Sequence, residues 1–167
     1  MTLFPPPLTA PVRAWRIDQK KHAAGWDSGI GAYSVGGRWN PRGVKAVYCS
    51  LDAATSIIEV AVHKGFRALD IVPHVTTVLA IADPAQVHVV VPADVPNPTW
   101  LLPGVPSAGQ QAFGAALLAA HAFVAMPSTA SRQSWNLVFD PDRVKGLYTK
   151  VVQEQLAIDT RLHPPAK

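Results

Sequence analysis

The sequence predicts an α+β fold, in which short helices accompany a twisted, mixed and largely antiparallel sheet. Strand-like segments rich in β-branched residues recur along the chain, without the regular alternation with helices that a parallel βαβ fold shows. Helical composition is found in two longer segments, 51–64 and 108–121. The chain has 167 residues, of which 49% are hydrophobic and 16% charged, so we expect one globular domain over residues 1–167.

The N-terminal part is predicted to begin with a strand at 12–17 and a polar, glycine-containing loop over 18–35. A tight turn is expected at 40–43, because Pro41 fixes φ and Gly43 accepts a positive φ. This turn leads into a second strand at 45–50.

The helix predicted over 51–64 has a capping residue, Ser50, at its start and Gly65 at its end. Its expected apolar face is formed by Ile57, Ile58, Ala61 and Val62. Glu59 lies among these apolar residues. Because a carboxylate without a partner is costly to bury, this acid calls for an explanation.

The C-terminal part is predicted to hold a hairpin, a helix and further strands. Segments 74–82 and 86–91 are expected to pair antiparallel across the turn at Asp83-Pro84. Gly114, inside the helix 108–121, indicates close packing. The remaining predictions are strands at 122–126 and 135–140, and a final strand or short helix from Lys150 onward, before a basic tail.

Charge and motifs exclude several classes of function. The formal net charge is +4, which suits an anionic partner, but the basic residues are scattered and no nucleic-acid-binding signature is present. We therefore expect no direct nucleic-acid binding. Neither a P-loop nor G-x-G-x-x-G, HExxH, paired Cys/His spacing or G-x-S-x-G occurs, so no metal site is expected.

The cellular location is predicted to be the cytoplasm. The segment 1–7 has three prolines and no positive side chain, unlike a signal peptide, and no apolar run reaches the roughly 18 residues of a membrane span. The single cysteine, Cys49, excludes an internal disulfide and is expected to be a small core residue.

The stretch from Gly36 to Glu59 is predicted to carry one site, made of Arg38, Tyr48 and Glu59. An arginine on a glycine-rich loop can hold a pyrophosphate, and a tyrosine face can stack on a planar ring. A carboxylate can stabilise a sugar cation, as in glycosidases. These residue types suit a ligand that joins phosphate, sugar and ring.

The ordered set of these residues resembles the RES domain family, named after arginine, glutamate and serine. The resemblance runs from about Arg16 to Arg161. It rests on Gly36-Gly37-Arg38-Trp39-Asn40, Gly43, Tyr48, Ser50, Glu59, Pro127-Ser128, Asn136-Leu137-Val138 and Pro141. One departure is the loop 132–135, which is often richer in glycine in relatives.

The resemblance implies a toxin of a bacterial toxin–antitoxin pair, with a fold similar to that of ADP-ribosyltransferases. It implies Arg38, Tyr48, Glu59 and Ser128 as active-site residues, with Arg16, Arg38 and Tyr48 binding NAD. NAD would be the substrate, with no other cofactor, and would be cleaved between nicotinamide and ribose by hydrolysis or phosphorolysis. The implied partner is a cognate antitoxin, an Xre-like DNA-binding protein.

Other interpretations remain at this point. The chain could transfer ADP-ribose to a protein, act as a ribonuclease with Glu59 and His63, or only bind a partner. Each site residue also has a structural interpretation: Arg16 as a surface arginine of an edge strand, Arg38 as an ion-pair partner, Tyr48 as core packing, Glu59 as a solvated helix residue and Ser128 as a turn residue.

Overall fold

The computed structural model describes residues 3–159. Within them, the strands are β1 Val12–Gln19, β2 Val47–Ser50, β3 His74–Ile81, β4 Val87–Val89, β5 Phe123–Pro127, β6 Trp135–Phe139 and β7 Thr149–Gln155. The α-helices are α1 Ile30–Val35, α2 Ala53–Lys64, α3 Phe66–Ile71 and α4 Ala108–Ala120. Short 3₁₀ helices lie at Lys20–Gly25, Pro84–Gln86, Pro92–Asp94 and Pro98–Leu101. No helix in the described part of the chain is both long and apolar enough to span a membrane.

All seven strands belong to one sheet, in the order β4-β5-β6-β2-β1-β3-β7. The pair β4–β5 is parallel and the other pairs are antiparallel, which confirms the predicted α+β class. Four strands separate β3 from β4, about 24 Å across a flat sheet. The link from Ile81 to Val87 reaches only about 20 Å, and both residues share one core cluster. The sheet therefore curls back on itself.

Hydrophobic clusters fill both faces of the central strands. One cluster includes Val47, Cys49, Phe123, Leu137 and Phe139. The other includes Trp39, Val124, Met126, Leu118 and Val138, and joins α4 to the sheet. Side chains two positions apart in a strand point to the same face of the sheet. Polar residues two positions from a member of this second cluster therefore point to the α4 side. That side carries the candidate site.

The predicted hairpin between 74–82 and 86–91 is wrong. β3 pairs with β1 and β7, whereas β4 pairs with β5 at the far end of the strand order. Asp83 accepts a hydrogen bond from the backbone N–H of Ala85 and starts a 3₁₀ turn rather than a hairpin turn. Pairing with distant strands outweighs the local pattern, because it buries both faces of β3.

The start of α2 differs from the prediction as well. The helix is capped by Asp52, whose carboxylate accepts from the N–H of Thr55 at 2.7 Å, while Ser50 is the last residue of β2. Its buried side packs Ile57, Val60 and Ala61 towards Ile17 and Leu69. Val62, expected on the apolar face, is 64% exposed.

Segment 18–35 was expected to be a loop, but it contains a 3₁₀ helix and α1. A strand or a short helix was expected from Lys150 onward, and the strand β7 is found there. The basic tail falls beyond residue 159 and so lies outside the described residues.

Gly114 of α4 lies against the backbone of segment 36–39, which we call the glycine-rich loop. A Cβ added at this position would lie 2.2 Å from the carbonyl oxygen of Trp39 and 2.6 Å from its Cα. Trp39 is 3% exposed and its ring lies edge-on to Phe113 of α4, with ring centroids 6.3 Å apart. Because Gly114 has no side chain, the loop that carries Arg38 can pack directly against α4.

We expect Gly114→Ala to destabilise the fold, although alanine is ordinarily the better helix former by about 1 kcal/mol. The added methyl group has to push against backbone atoms of Trp39, and overpacking of this kind costs about 1–3 kcal/mol. Urea unfolding followed by tryptophan fluorescence measures the change. Gly109→Ala, on the same helix, is the matched control, because its nearest contact would be an ordinary 3.5 Å. Equal midpoints for the two variants would contradict the packing described.

Candidate active site

A large cleft of about 1360 Å³ opens on the side of the sheet that faces α2 and the glycine-rich loop. Its walls include the loop Gly36–Trp39, the α2 residues Glu59, Val62 and His63, and the segment from Pro103 to Pro106. The Arg38 loop and the Glu59 helix therefore border one cleft, as expected for a single site. Its volume is ample for a ligand of dinucleotide size.

The Glu59 carboxylate is fixed by two neutral donors. Ser128 Oγ donates to Glu59 Oε1 at 2.7 Å, and Asn136 Nδ2 donates to the same oxygen at 2.5 Å. The other oxygen, Oε2, receives no hydrogen bond from residues 3–159, and Glu59 lines the cleft. The arrangement orients one oxygen inward and leaves the other for a ligand, unlike a freely solvated helix glutamate.

Ser128 reaches Glu59 because it directly follows β5, whose Pro127 pairs with Trp135 of β6. The side chain is 5% exposed and its Oγ also accepts from the N–H of Ser131 at 3.0 Å. Ser128 therefore both closes the turn after β5 and supports the acid. Ser128 is not among the described residues that line the cleft. Its hydroxyl is linked to the cleft by the hydrogen bond to Glu59.

Tyr48 is held by the glycine-rich loop. Its hydroxyl donates to Asn40 Oδ1 at 2.6 Å and accepts from the N–H of Trp39 at 3.0 Å. A Cβ on Gly37 would lie 2.6 Å from this hydroxyl, so only glycine allows the loop to pass here. Burial raises the pKa of the Tyr48 phenol, although the nearby Arg38 charge opposes the shift, so the phenol stays protonated. The ring lines the cleft, and the hydroxyl is fully engaged.

Arg38 is bound to carbonyl groups rather than to an acid. Its Nη1 donates to the carbonyls of Trp100 and Leu102 at 3.2 and 3.3 Å, and Nη2 donates to that of Gly104 at 3.1 Å. Two N–H groups, on Nε and Nη2, have no acceptor among the described residues. Desolvation lowers the pKa of Arg38, while attraction to Glu59 opposes the shift, which places both charges in one electrostatic environment. Arg38 thus joins the glycine-rich loop to the segment 100–104.

Arg16 lies at the edge of the same cleft and is tied to β-strand neighbours. Its Nη1 donates to the carbonyl of Tyr48 at 2.8 Å, and its Nη2 pairs with Asp18 at 2.7 Å. The Arg16 Nε and the second oxygen of Asp18 are buried without a partner among the described residues. The pair lines the cleft, and it supports the strand from which Tyr48 projects.

Asn40 and Asn136 hold the site together, although the sequence placed them only within the family pattern and gave them no role. Asn40 is completely buried, and its two Nδ2 hydrogens are shared among the carbonyls of Ala32, Pro41 and Val44. Asn136, in the middle of an otherwise apolar strand, bridges Ser50 and Glu59. Asparagine is disfavoured inside strands, so its presence at 136 was a signal that could have been used.

Cys49 is a core residue, as expected. It is 4% exposed, and burial raises the pKa of its thiol to about 12, so it stays protonated near neutral pH. In the region 3–159, no group of three or more His, Cys, Asp or Glu side chains is arranged to hold a metal ion.

Comparisons with known proteins agree with this architecture. A family model described as the RES domain matches residues 13–162. The fold is similar to that of a chain in the crystal structure of the M. tuberculosis MbcT–MbcA toxin–antitoxin complex, with a TM-score of 0.64 and 19% sequence identity. The match covers 88% of this chain and 85% of that chain, and at this identity it shows a shared fold. A search of curated proteins finds no match.

We expect Tyr48→Phe to destabilise the protein by about 1–3 kcal/mol, because it leaves both Asn40 Oδ1 and the Trp39 N–H without their partner. The urea midpoint measures this loss. Tyr33→Phe is the control: Tyr33 is 46% exposed and its hydroxyl makes no described hydrogen bond, so the free energy of unfolding is expected to stay within about 0.5 kcal/mol of the parent. A Tyr48→Phe variant as stable as the control would show that the loop does not depend on this hydroxyl.

Proposed function

The chain belongs to the RES domain family, and from this premise we propose that it is the toxin of a toxin–antitoxin pair that cleaves NAD between nicotinamide and ribose. The observation that carries the proposal is the Glu59 carboxylate, which Ser128 and Asn136 hold at the wall of a cleft of about 1360 Å³. A fixed anion beside an open space is suited to stabilising a cation that forms there during reaction.

The chemistry of NAD matches this arrangement. Nicotinamide in NAD carries a positive charge, so the electrons of the breaking bond neutralise it and no general acid is needed. Positive charge moves at the same time onto the ribose. A carboxylate that is already oriented favours this oxocarbenium-like transition state over the ground state. We assign that role to Glu59, through the oxygen that receives no described hydrogen bond.

The anionic part of NAD is assigned to Arg38. Two of its N–H groups remain for a phosphate oxygen, and Glu59 provides the opposite charge within the same cleft. Tyr48 offers a ring whose position is fixed at the hydroxyl, which suits stacking on the nicotinamide. Arg16 is proposed as a further contact at the edge of the cleft, and Ser128 as a residue that positions Glu59.

The acceptor of the ADP-ribose group is water, inorganic phosphate or a protein side chain. Water gives ADP-ribose, phosphate gives a phosphorylated ADP-ribose, and a protein acceptor gains the mass of ADP-ribose. NAD is the substrate in each case, and no other cofactor is required. Mass spectrometry of NAD incubations with and without phosphate, and with added protein, separates the three outcomes.

We expect Glu59→Gln to lower the rate of NAD cleavage about 10²- to 10³-fold while the fold is retained. The glutamine carbonyl can accept the same two hydrogen bonds from Ser128 and Asn136, but the negative charge is lost. Nicotinamide release from NAD by the purified proteins measures the rate, and urea unfolding measures the stability.

Glu154→Gln, on the exposed edge strand β7, is the matched control and should cleave NAD at the parent rate. Folded Glu59→Gln protein with parent activity would overturn the proposed mechanism. Parent protein that degrades RNA and leaves NAD intact would favour a ribonuclease instead. Parent protein that alters neither would favour a binding module.

The proposed partner is a cognate antitoxin, an Xre-like DNA-binding protein, that covers the cleft in the cytoplasm. Four apolar side chains along the cleft walls are strongly exposed: Ile30, Val35, Val62 and Val105 are 52%, 77%, 64% and 97% exposed. Exposed apolar side chains gathered at one opening are typical of a protein interface. The chain of similar fold from M. tuberculosis comes from the crystal structure of a toxin–antitoxin complex.

Expression of the chain alone in bacteria is expected to stop growth and to lower cellular NAD, because an uncovered cleft is free to act. Co-expression with a candidate antitoxin from the same operon should restore both, and Glu59→Gln should be harmless without it. Growth curves and NAD assays on the same cultures provide the measurement. Normal growth and normal NAD at high levels of the active protein alone would contradict a toxin role.

A further inference from the structure

We propose that Asn136 and Ser50 form a positioning pair that sets the direction of the Glu59 carboxylate. This inference rests on the proposed role of Glu59 in NAD cleavage. Asn136 accepts from Ser50 Oγ through Oδ1 at 2.9 Å and donates through Nδ2 to Glu59 Oε1 at 2.5 Å. Both side chains come from adjacent strands, because Ser50 of β2 pairs directly with Asn136 of β6.

The orientation of the amide follows from its neighbours. If Asn136 were turned over, its carbonyl oxygen would face the Glu59 carboxylate, and two acceptors would meet without a hydrogen between them. Ser50 favours the same orientation, since its hydroxyl is 2% exposed and has Asn136 Oδ1 as its described acceptor. The hydroxyl and the amide therefore form a chain of aligned dipoles that ends on Glu59.

The donors to Glu59 are neutral. Asn136 of the positioning pair and Ser128 supply two hydrogen bonds to one carboxylate oxygen without adding a charge to the cleft. Asn136 also lines the cleft, and its second amide hydrogen has no acceptor among residues 3–159. The pair can thus hold the acid while leaving its other oxygen for the ribose.

Other titratable groups face Glu59 from several elements, and they are common to the parent and the variants used below. Those that line the cleft are Arg16 and Asp18 of β1, Lys21 and His22 of the 3₁₀ helix, Arg38 of the glycine-rich loop and His63 of α2. Tyr48 of β2 stays protonated because burial raises the pKa of its phenol. A change of pH profile confined to a variant at 136 is therefore caused by the new group.

The decisive variant is Asn136→Asp, which keeps the size of the side chain but places a second carboxyl against Glu59. Two carboxyls in contact share one proton and lose it only at a raised pH. While the proton is shared, the new carboxyl group still donates a hydrogen bond to Glu59. Once the proton is lost, both carboxylates are negative and repel each other. We expect kcat for NAD cleavage to rise and then fall with pH in this variant. The alkaline fall should be about tenfold or more and absent from the parent.

Gln155→Glu is the matched control, since it makes the same amide-to-acid change on the exposed end of β7 and should keep the parent profile. Ser50→Ala provides a second variant: it should lower kcat by about tenfold, with KM and the shape of the pH profile unchanged. If Asn136→Asp fails to fold, Ser50→Ala decides alone, and parent kcat in that variant would overturn the proposal.

The outcomes separate this inference from the proposed function. Parent protein that cleaves NAD, an inactive Glu59→Gln and an Asn136→Asp variant with the parent profile would overturn only the positioning pair. Parent activity in Glu59→Gln would instead remove the role of Glu59 on which the pair depends. A merely structural pair would change the urea midpoint of Ser50→Ala and leave the kcat of its folded fraction as in the parent.

Discussion

The two hydrogen bonds that meet on one oxygen of Glu59 are the interaction on which the arrangement of the cleft depends. The acid comes from α2, and its donors come from the end of β5 and the middle of β6. A partly buried anion without hydrogen-bond donors is costly, so a carboxylate on α2 at this junction needs donors from β5 and β6. The contact therefore fixes the helix against the sheet and gives the cleft one rigid wall.

The opposite wall is built by a second asparagine in a similar way. Asn40 Nδ2 contacts three backbone carbonyls and its Oδ1 accepts from the Tyr48 hydroxyl, so buried hydrogen bonds hold the glycine-rich loop beside the contacts of Arg38 with 100–104. A neutral amide thus supports Glu59 itself on one wall and the loop that carries Arg38 on the other. Because these supports are neutral, Arg38 and Glu59 supply charges of opposite sign to the same cleft.

Periodicity and turn residues predicted most of the elements, because strands such as β2 and β6 and helices such as α4 follow their local sequence. Strand order was not predictable in this way: β3 and β4 have the pattern of a hairpin, but each pairs with strands that are distant in sequence. The cap of α2 was misplaced by two residues because Ser50 has cap chemistry, yet its hydroxyl is used by Asn136. Arg38, Tyr48 and Glu59 were predicted to lie together, and they share the cleft walls. Asn40 and Asn136 were named only within the family pattern. The role of Asn136 was missed because its partners, Ser50 and Glu59, are far away in sequence.

The three carbonyl contacts of Arg38 have a thermodynamic consequence. A guanidinium that holds the carbonyls of Trp100, Leu102 and Gly104 and keeps two N–H groups without a described acceptor can gain an anion while it retains these contacts. The order of the segment 100–104 and the occupancy of Arg38 are then linked, and each shifts the other by the same free energy. The affinity of such an arginine for an anion would thus include the order that this segment already imposes on it. Changes at residues that never touch the ligand can tune that affinity.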